Sequence, residues 1–142
     1  MKKKVLAVVS VSLSLMLAAV LVSTAMAARD AFVGRWHSTD IVDGSSQRLM
    51  IGGGPGSTRN VRWYDDGASA CGLDESDNPI YAAFVSGSFT ENEAGDELDG
   101  SVDVTCLTTP PSAGPTAVAW QFYDNGDGTL SDSDGTTWYP GP

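Results

Sequence analysis

The stretch that most restricts the fold is residues 97–107. Leu98, Gly100, Val102, Val104 and Cys106 fall on alternate positions, with Asp99, Ser101, Asp103 and Thr105 between them. A period of two sends the first set to one face of a strand and the second set to the other. One face is then apolar and the other polar, as in an antiparallel sheet with a core on one side and water on the other. Further strands must cover the apolar side, since no segment after residue 28 carries the 3.6-residue period of a helix.

The candidate partners are short runs of β-branched and aromatic residues separated by turn formers. Residues 32–39 put Phe32, Gly34, Trp36 and Ser38 on one face and Val33, Arg35 and His37 on the other. Residues 47–52 follow, with Leu49 and Ile51 together. In 60–65, Val61 and Trp63 alternate with Arg62 and Tyr64. Residues 68–72 predict a short fourth strand with Cys71 near its end, 80–90 a fifth and 97–107 a sixth. Residues 116–123 are the seventh, with Val118, Trp120 and Phe122 inward, then 128–132, and a short last strand over 136–139. Asp43-Gly44, Asp65-Asp66-Gly67, Asp124-Asn125-Gly126 and Asp134-Gly135 supply tight turns. Residues 52–56 and 108–115 read as loops. The fold class is all-β: a small antiparallel up-and-down barrel of about eight strands, which removes its own edges, with a two-sheet β-sandwich as the alternative.

The start of the chain has a different character. Lys2, Lys3 and Lys4 precede an apolar run over 5–22 broken only by Ser10, Ser12 and Ser14, and Ala25-Met26-Ala27 follows. Basic, apolar and small-residue segments in that order predict a secretory signal peptide over residues 1–27. An uncleaved membrane anchor is the alternative. Cleavage leaves one domain, residues 28–142, in a secreted or periplasmic location and with no stable membrane anchor. All three lysines leave with the leader, so five arginines face 18 acids, a formal charge of −13. Such a surface repels phosphate backbones and argues against a nucleic-acid partner. Two cysteines remain, Cys71 and Cys106, and in an oxidising compartment they predict one disulfide.

Chemistry has little to work with. The single histidine, His37, sits on the face opposite Trp36, and no G-x-S-x-G or comparable elbow positions a nucleophile. One histidine and two oxidised cysteines do not make a zinc site. Asp124, Asp127, Asp132 and Asp134 lie close in sequence but lack the twelve-residue spacing and final glutamate of a calcium loop. No cofactor, no metal and no enzymatic activity are expected; an active site would need a polar cluster such as Arg62, Tyr64 and Asp103.

Gly34-Arg35-Trp36, a G-x-W at the start of a secreted β-rich domain, resembles the opening of the lipocalins and their calycin relatives. The resemblance implies that Trp36 plugs the closed end of a barrel, with Gly34 allowing close packing; the order of that opening, Tyr64-Asp65-Asp66-Gly67, the cysteine pair and a closing Trp138-Tyr139 is similar to that of small secreted bacterial proteins, and Trp138 is expected to be structural. The lipocalin resemblance implies a small apolar or aromatic ligand at the open mouth, for which Trp63, Trp120, Phe122, Tyr64 and Arg62 are the candidate contacts. The competing reading is a structural or protein-interaction module, such as a secreted protease inhibitor, binding a secreted or envelope protein. Trp36, Trp63, Trp120, Phe122 and Trp138 are bulky enough to fill a small barrel, so the state of the interior separates the two readings.

Overall fold

A computed structural model describes residues 30–142, and the signal-peptide reading of 1–27 lies outside those residues. The strands are β1 (Gly34–Thr39), β2 (Ser46–Gly53), β3 (Thr58–Asp65), β4 (Ala83–Glu91), β5 (Glu97–Cys106), β6 (Ser112–Ala113), β7 (Val118–Asp124), β8 (Leu130–Asp132) and β9 (Thr137–Pro140). All pairings are antiparallel. The sheet runs β4-β3-β2-β1-β9-β8-β7-β5, and β4 pairs again with β5, which closes it. The result is a closed eight-stranded barrel with β6 as one extra strand beside the end of β5. Closure along nine residue pairs of β4 and β5 decides for the barrel over the sandwich.

The period of two explains which residues fill it. Trp36, Leu49, Ile51, Val61, Trp63, Val85, Phe89, Leu98, Val102, Phe122, Leu130 and Trp138 point inward and are buried, and the interleaved residues of the same strands face out. Two glycines permit the tight closure. A Cβ on Gly100 would lie 2.5 Å from the Ser88 carbonyl oxygen, and one on Gly87 would lie 2.2 Å from that of Ser101. At these two points the backbones of β4 and β5 approach too closely for any side chain.

Several expected elements differ. The short strand expected over 68–72 is a 3₁₀ turn, Ser69–Cys71. It is held by the Cys71 N–H to the Ala68 carbonyl and lies in a long connection between β3 and β4 rather than in a hairpin. Asp65-Asp66-Gly67 therefore leads out of β3 without turning the chain back, and the Asp65 carboxylate accepts the Gly67 N–H. The fifth run begins at Ala83, not at residue 80, because Ile80 and Tyr81 stay in that connection and are exposed. The loop expected over 108–115 contains β6. Cys71 and Cys106 are bonded, with their Cα atoms 5.4 Å apart, tying the long connection to the end of β5. The disulfide fits an oxidising compartment. Among the described residues no helix is long and apolar enough to cross a membrane.

Candidate functional site

The two ends of the barrel are built differently. At one end the connections are short, and the chain ahead of β1 folds across the opening. Phe32 is fully buried there, and the Trp36 indole Nε1–H donates to its carbonyl at 2.9 Å. Arg59, in the inward phase of β3, reaches Asp30 of the arm at 2.7 Å and pairs with Glu91 at the end of β4. Its guanidinium also donates to the carbonyls of Gly56 and Thr58. Trp36 and Phe32 are thus buried together at this end. A Cβ on Gly34 would meet the Trp36 ring at 3.7 Å, ordinary contact, so bulk alone does not require glycine there.

The opposite end carries the long β3–β4 and β5–β7 connections and opens into a cup of about 200 Å³. Trp63, Trp120 and Trp138 form its indole walls, with the Trp63 and Trp120 rings 5.4 Å apart. Ala68 and Ala70, beside the disulfide, form part of another wall, and Asp40, Ile41 and Val42 of the β1–β2 turn overhang the rim. Phe122 lies below, packed edge-on against Trp63 and Trp138 and fully buried. Below it Val61, Phe89 and Leu98, all buried, occupy the barrel interior.

Polar groups are concentrated at this end. Asp40, Gln47, Asp65, Asp132, Asp134 and Thr136 all line the cup. Gln47 Nε2 donates to Asp40 at 2.9 Å and to Asp65 at 3.2 Å. The other Asp65 oxygen accepts the Ser45 hydroxyl and the Gly67 N–H. Asp132 accepts the Thr136 and Asp134 N–H groups on one oxygen and the Trp138 Nε1–H, at 3.0 Å, on the other. Burial pushes the Asp132 carboxyl above the ordinary range, against the pull of those hydrogen bonds. Burial also raises Asp40, with the charges of Asp43 and Asp65 adding to it. Two buried atoms in the cup wall have no partner among the described residues: Gln47 Oε1 and Trp120 Nε1.

Sequence reasoning missed the polar half of this site, though the strand period contains it. Asp40 is in phase with Trp36 and Ser38, Gln47 with Leu49 and Ile51, Asp65 with Val61 and Trp63, and Asp132 with Leu130. A polar residue that continues an inward phase to the end of a strand marks the mouth of a barrel.

The structure divides the five proposed ligand contacts. Trp63 and Trp120 line the cup, with Phe122 beneath it, but Arg62 and Tyr64 face outward and join a different feature. On the outer surface of β1 to β4 the register makes two rows: Tyr139, His37, Arg48, Tyr64 and Phe84 in one, and Arg35, Met50 and Arg62 in the other. The Arg48 guanidinium stands 4.9 Å over the Tyr64 ring, and His37 lies 6.0 Å from Tyr139. These rows border a shallow groove of about 580 Å³. Among the described residues every arginine except Arg59 lies on this face. Asp103, grouped with Arg62 and Tyr64 as a conceivable polar cluster, is one strand further round: Ser86 separates it from Arg62 across the ladder.

The Asp127 carboxylate accepts the Thr129 N–H and hydroxyl, and Asp124 accepts the Gly126 N–H, so these acids cap their own turn. Among the described residues no three Asp, Glu, His or Cys side chains stand close enough to share a metal ion. Comparison with protein-family models, with curated proteins and with solved structures finds no match.

Proposed function

We propose that this is a secreted, non-enzymatic, lipocalin-like barrel that binds one small ligand with an apolar or aromatic body in the cup. The observation that carries the reading is the cup itself: three indole walls with Phe122 beneath them and a set of polar side chains at the mouth. Binding sites are concave, mostly apolar and furnished with a few placed polar groups. The small volume limits the ligand to roughly ten non-hydrogen atoms at interior packing density. The G-x-W opening and the closed meander support the lipocalin likeness, and the basic-apolar-small leader supports export.

The test is tryptophan fluorescence titrated with small aromatic and aliphatic compounds, since three of the four tryptophans line the cup. A saturable change that Trp120→Phe alters and Trp36→Phe does not is the expected result. No saturable change with any compound overturns the reading.

A second reading rests on the outer groove. Arg35, Arg48 and Arg62, interleaved with Met50, Tyr64 and Phe84, suit an acidic protein partner, because arginine and aromatic residues dominate interface anchors. The remaining acids do not forbid it, since charges beyond about 8 Å are screened at physiological salt. Salt-sensitive retention on immobilised polyglutamate, abolished when the three arginines become glutamine, is expected; retention unchanged by those substitutions removes this reading.

A further inference from the structure

We infer that the cup selects a small organic cation: an amine whose apolar or aromatic body lies against the tryptophans. The inference rests on the reading of the cup as the ligand site and adds the ligand's charge. Four carboxylates line the cup, those of Asp40, Asp65, Asp132 and Asp134, and no arginine, lysine or histidine does so among the described residues. The ion pairs of the described residues lie elsewhere: Arg59 with Asp30 and Glu91 at the closed end, and Arg48 with Asp66 on the outside. A concave site of one charge sign with low-dielectric walls focuses its potential on whatever enters.

The hydrogen bonding points the same way. Gln47 is 6 % exposed, and both contacts of its Nε2 go to carboxylates, leaving Oε1 without a donor. Every charged side chain of the lining is a carboxylate, and Gln47 Oε1 is a further acceptor in the wall behind them. An ammonium group meets these carboxylates with three N–H donors and a full charge. The indole walls add to this, because a cation over an aromatic face is attracted by the ring quadrupole, most strongly for tryptophan. A metal ion fits less well. The carboxylates are spread round the rim and engaged with backbone N–H, Gln47 and Trp138, and no three converge.

The experiment compares three probes of like shape at neutral pH, read by tryptophan fluorescence and by calorimetry: 2-phenylethylamine, 2-phenylethanol and 3-phenylpropionate. The amine is expected to bind saturably, the alcohol about tenfold or more weakly, and the carboxylate not at all. Asp134→Asn and Asp40→Asn are each expected to weaken the amine several-fold, while Asp99→Asn, which removes the same charge from the outer face of β5, leaves it unchanged. Equal binding of amine and alcohol overturns the cation inference and leaves the cup as a ligand site. No saturable change with any probe overturns both. Asn variants with a native near-ultraviolet spectrum that hold the amine as tightly as the unsubstituted protein also overturn it.

Discussion

Trp138 donates its indole N–H to Asp132 at 3.0 Å, joining the last two barrel strands through two buried side chains in the wall of the cup. The other oxygen of the same carboxylate accepts the Thr136 and Asp134 N–H groups and so shapes the β8–β9 turn. All three partners are donors. An asparagine in place of Asp132 must turn its NH₂ toward one set of them and leave it unaccepted. Asp132→Asn is therefore expected to destabilise the barrel by about 1–3 kcal/mol, the cost of a buried unsatisfied donor, read from urea unfolding. A variant as stable as the unsubstituted protein would mean that the carboxylate does not hold the turn.

The same carboxylate gives stability an unusual pH dependence. Asp40 and Asp132 hold their protons more tightly folded than unfolded, because burial penalises the charged form. Their contribution is fully present below the ordinary aspartate value of 3.8 and is lost as pH rises through the raised folded values. Asp74 and Asp127 behave oppositely. Hydrogen bonds from Asn78 and Thr129 lower them, so their contribution is present above 3.8 and lost as pH falls through the lowered values. Stability is expected to rise as pH is taken from neutral toward the raised values and to fall again in stronger acid. Relief of repulsion among 18 acids acts in the same direction on the first limb. Urea midpoints across that range check this; a monotonic loss from neutral pH downward would contradict it.

Gly100 is one of the two points where barrel closure leaves no room for a side chain. It faces Phe89 directly across the β4–β5 ladder, and a Cβ there would lie 2.8 Å from Phe89 Cγ as well as 2.5 Å from the Ser88 carbonyl oxygen. Backbone cannot swing aside as the end of a flexible side chain can. Gly100→Ala is expected to cost about 2–3 kcal/mol through overpacking, whereas Gly53→Ala, with open space around its Cβ, changes the unfolding midpoint little.

How far the chain could be read in advance follows from the kind of information each feature needs. Alternation in residues 97–107 and 60–65 was enough to say which side chains turn inward, because the pleat enforces it locally. The disulfide followed from two cysteines and the expectation of an oxidising compartment. The 3₁₀ turn at Ser69–Cys71 was not legible: its local composition suits a strand, and what decides against one is that β3 already pairs with β4 from Ala83 onward. Arg62 and Tyr64 were grouped with Trp63 as ligand contacts although the alternation already placed them on the opposite face. The cup required knowing that the ends of β1, β2, β3 and β8 meet, which is a matter of topology. The outer arginine face likewise depends on register across four strands, and no single segment displays it.

The disulfide links the cup wall to the barrel, so its loss is expected to reach function before it reaches the fold. Cys71 ends the 3₁₀ turn whose neighbours Ala68 and Ala70 line the cup, and Cys106 ends β5, which is paired with β4 along its length and with β7 beside it. Closing a 35-residue loop stabilises the folded state by roughly 3–4 kcal/mol in the chain-entropy model. The double variant Cys71→Ser, Cys106→Ser should lose an amount of that order in urea unfolding. The barrel core does not include the β3–β4 connection beyond Ala68 and Cys71, so the strands are expected to survive under native conditions while the turn over the cup loosens. The measurement is hydrogen exchange alongside ligand titration. Faster exchange confined to residues 66–82, with weakened binding and intact strand protection, is the expected pattern. Uniformly faster exchange over all the strands would show instead that the bond holds the whole barrel together.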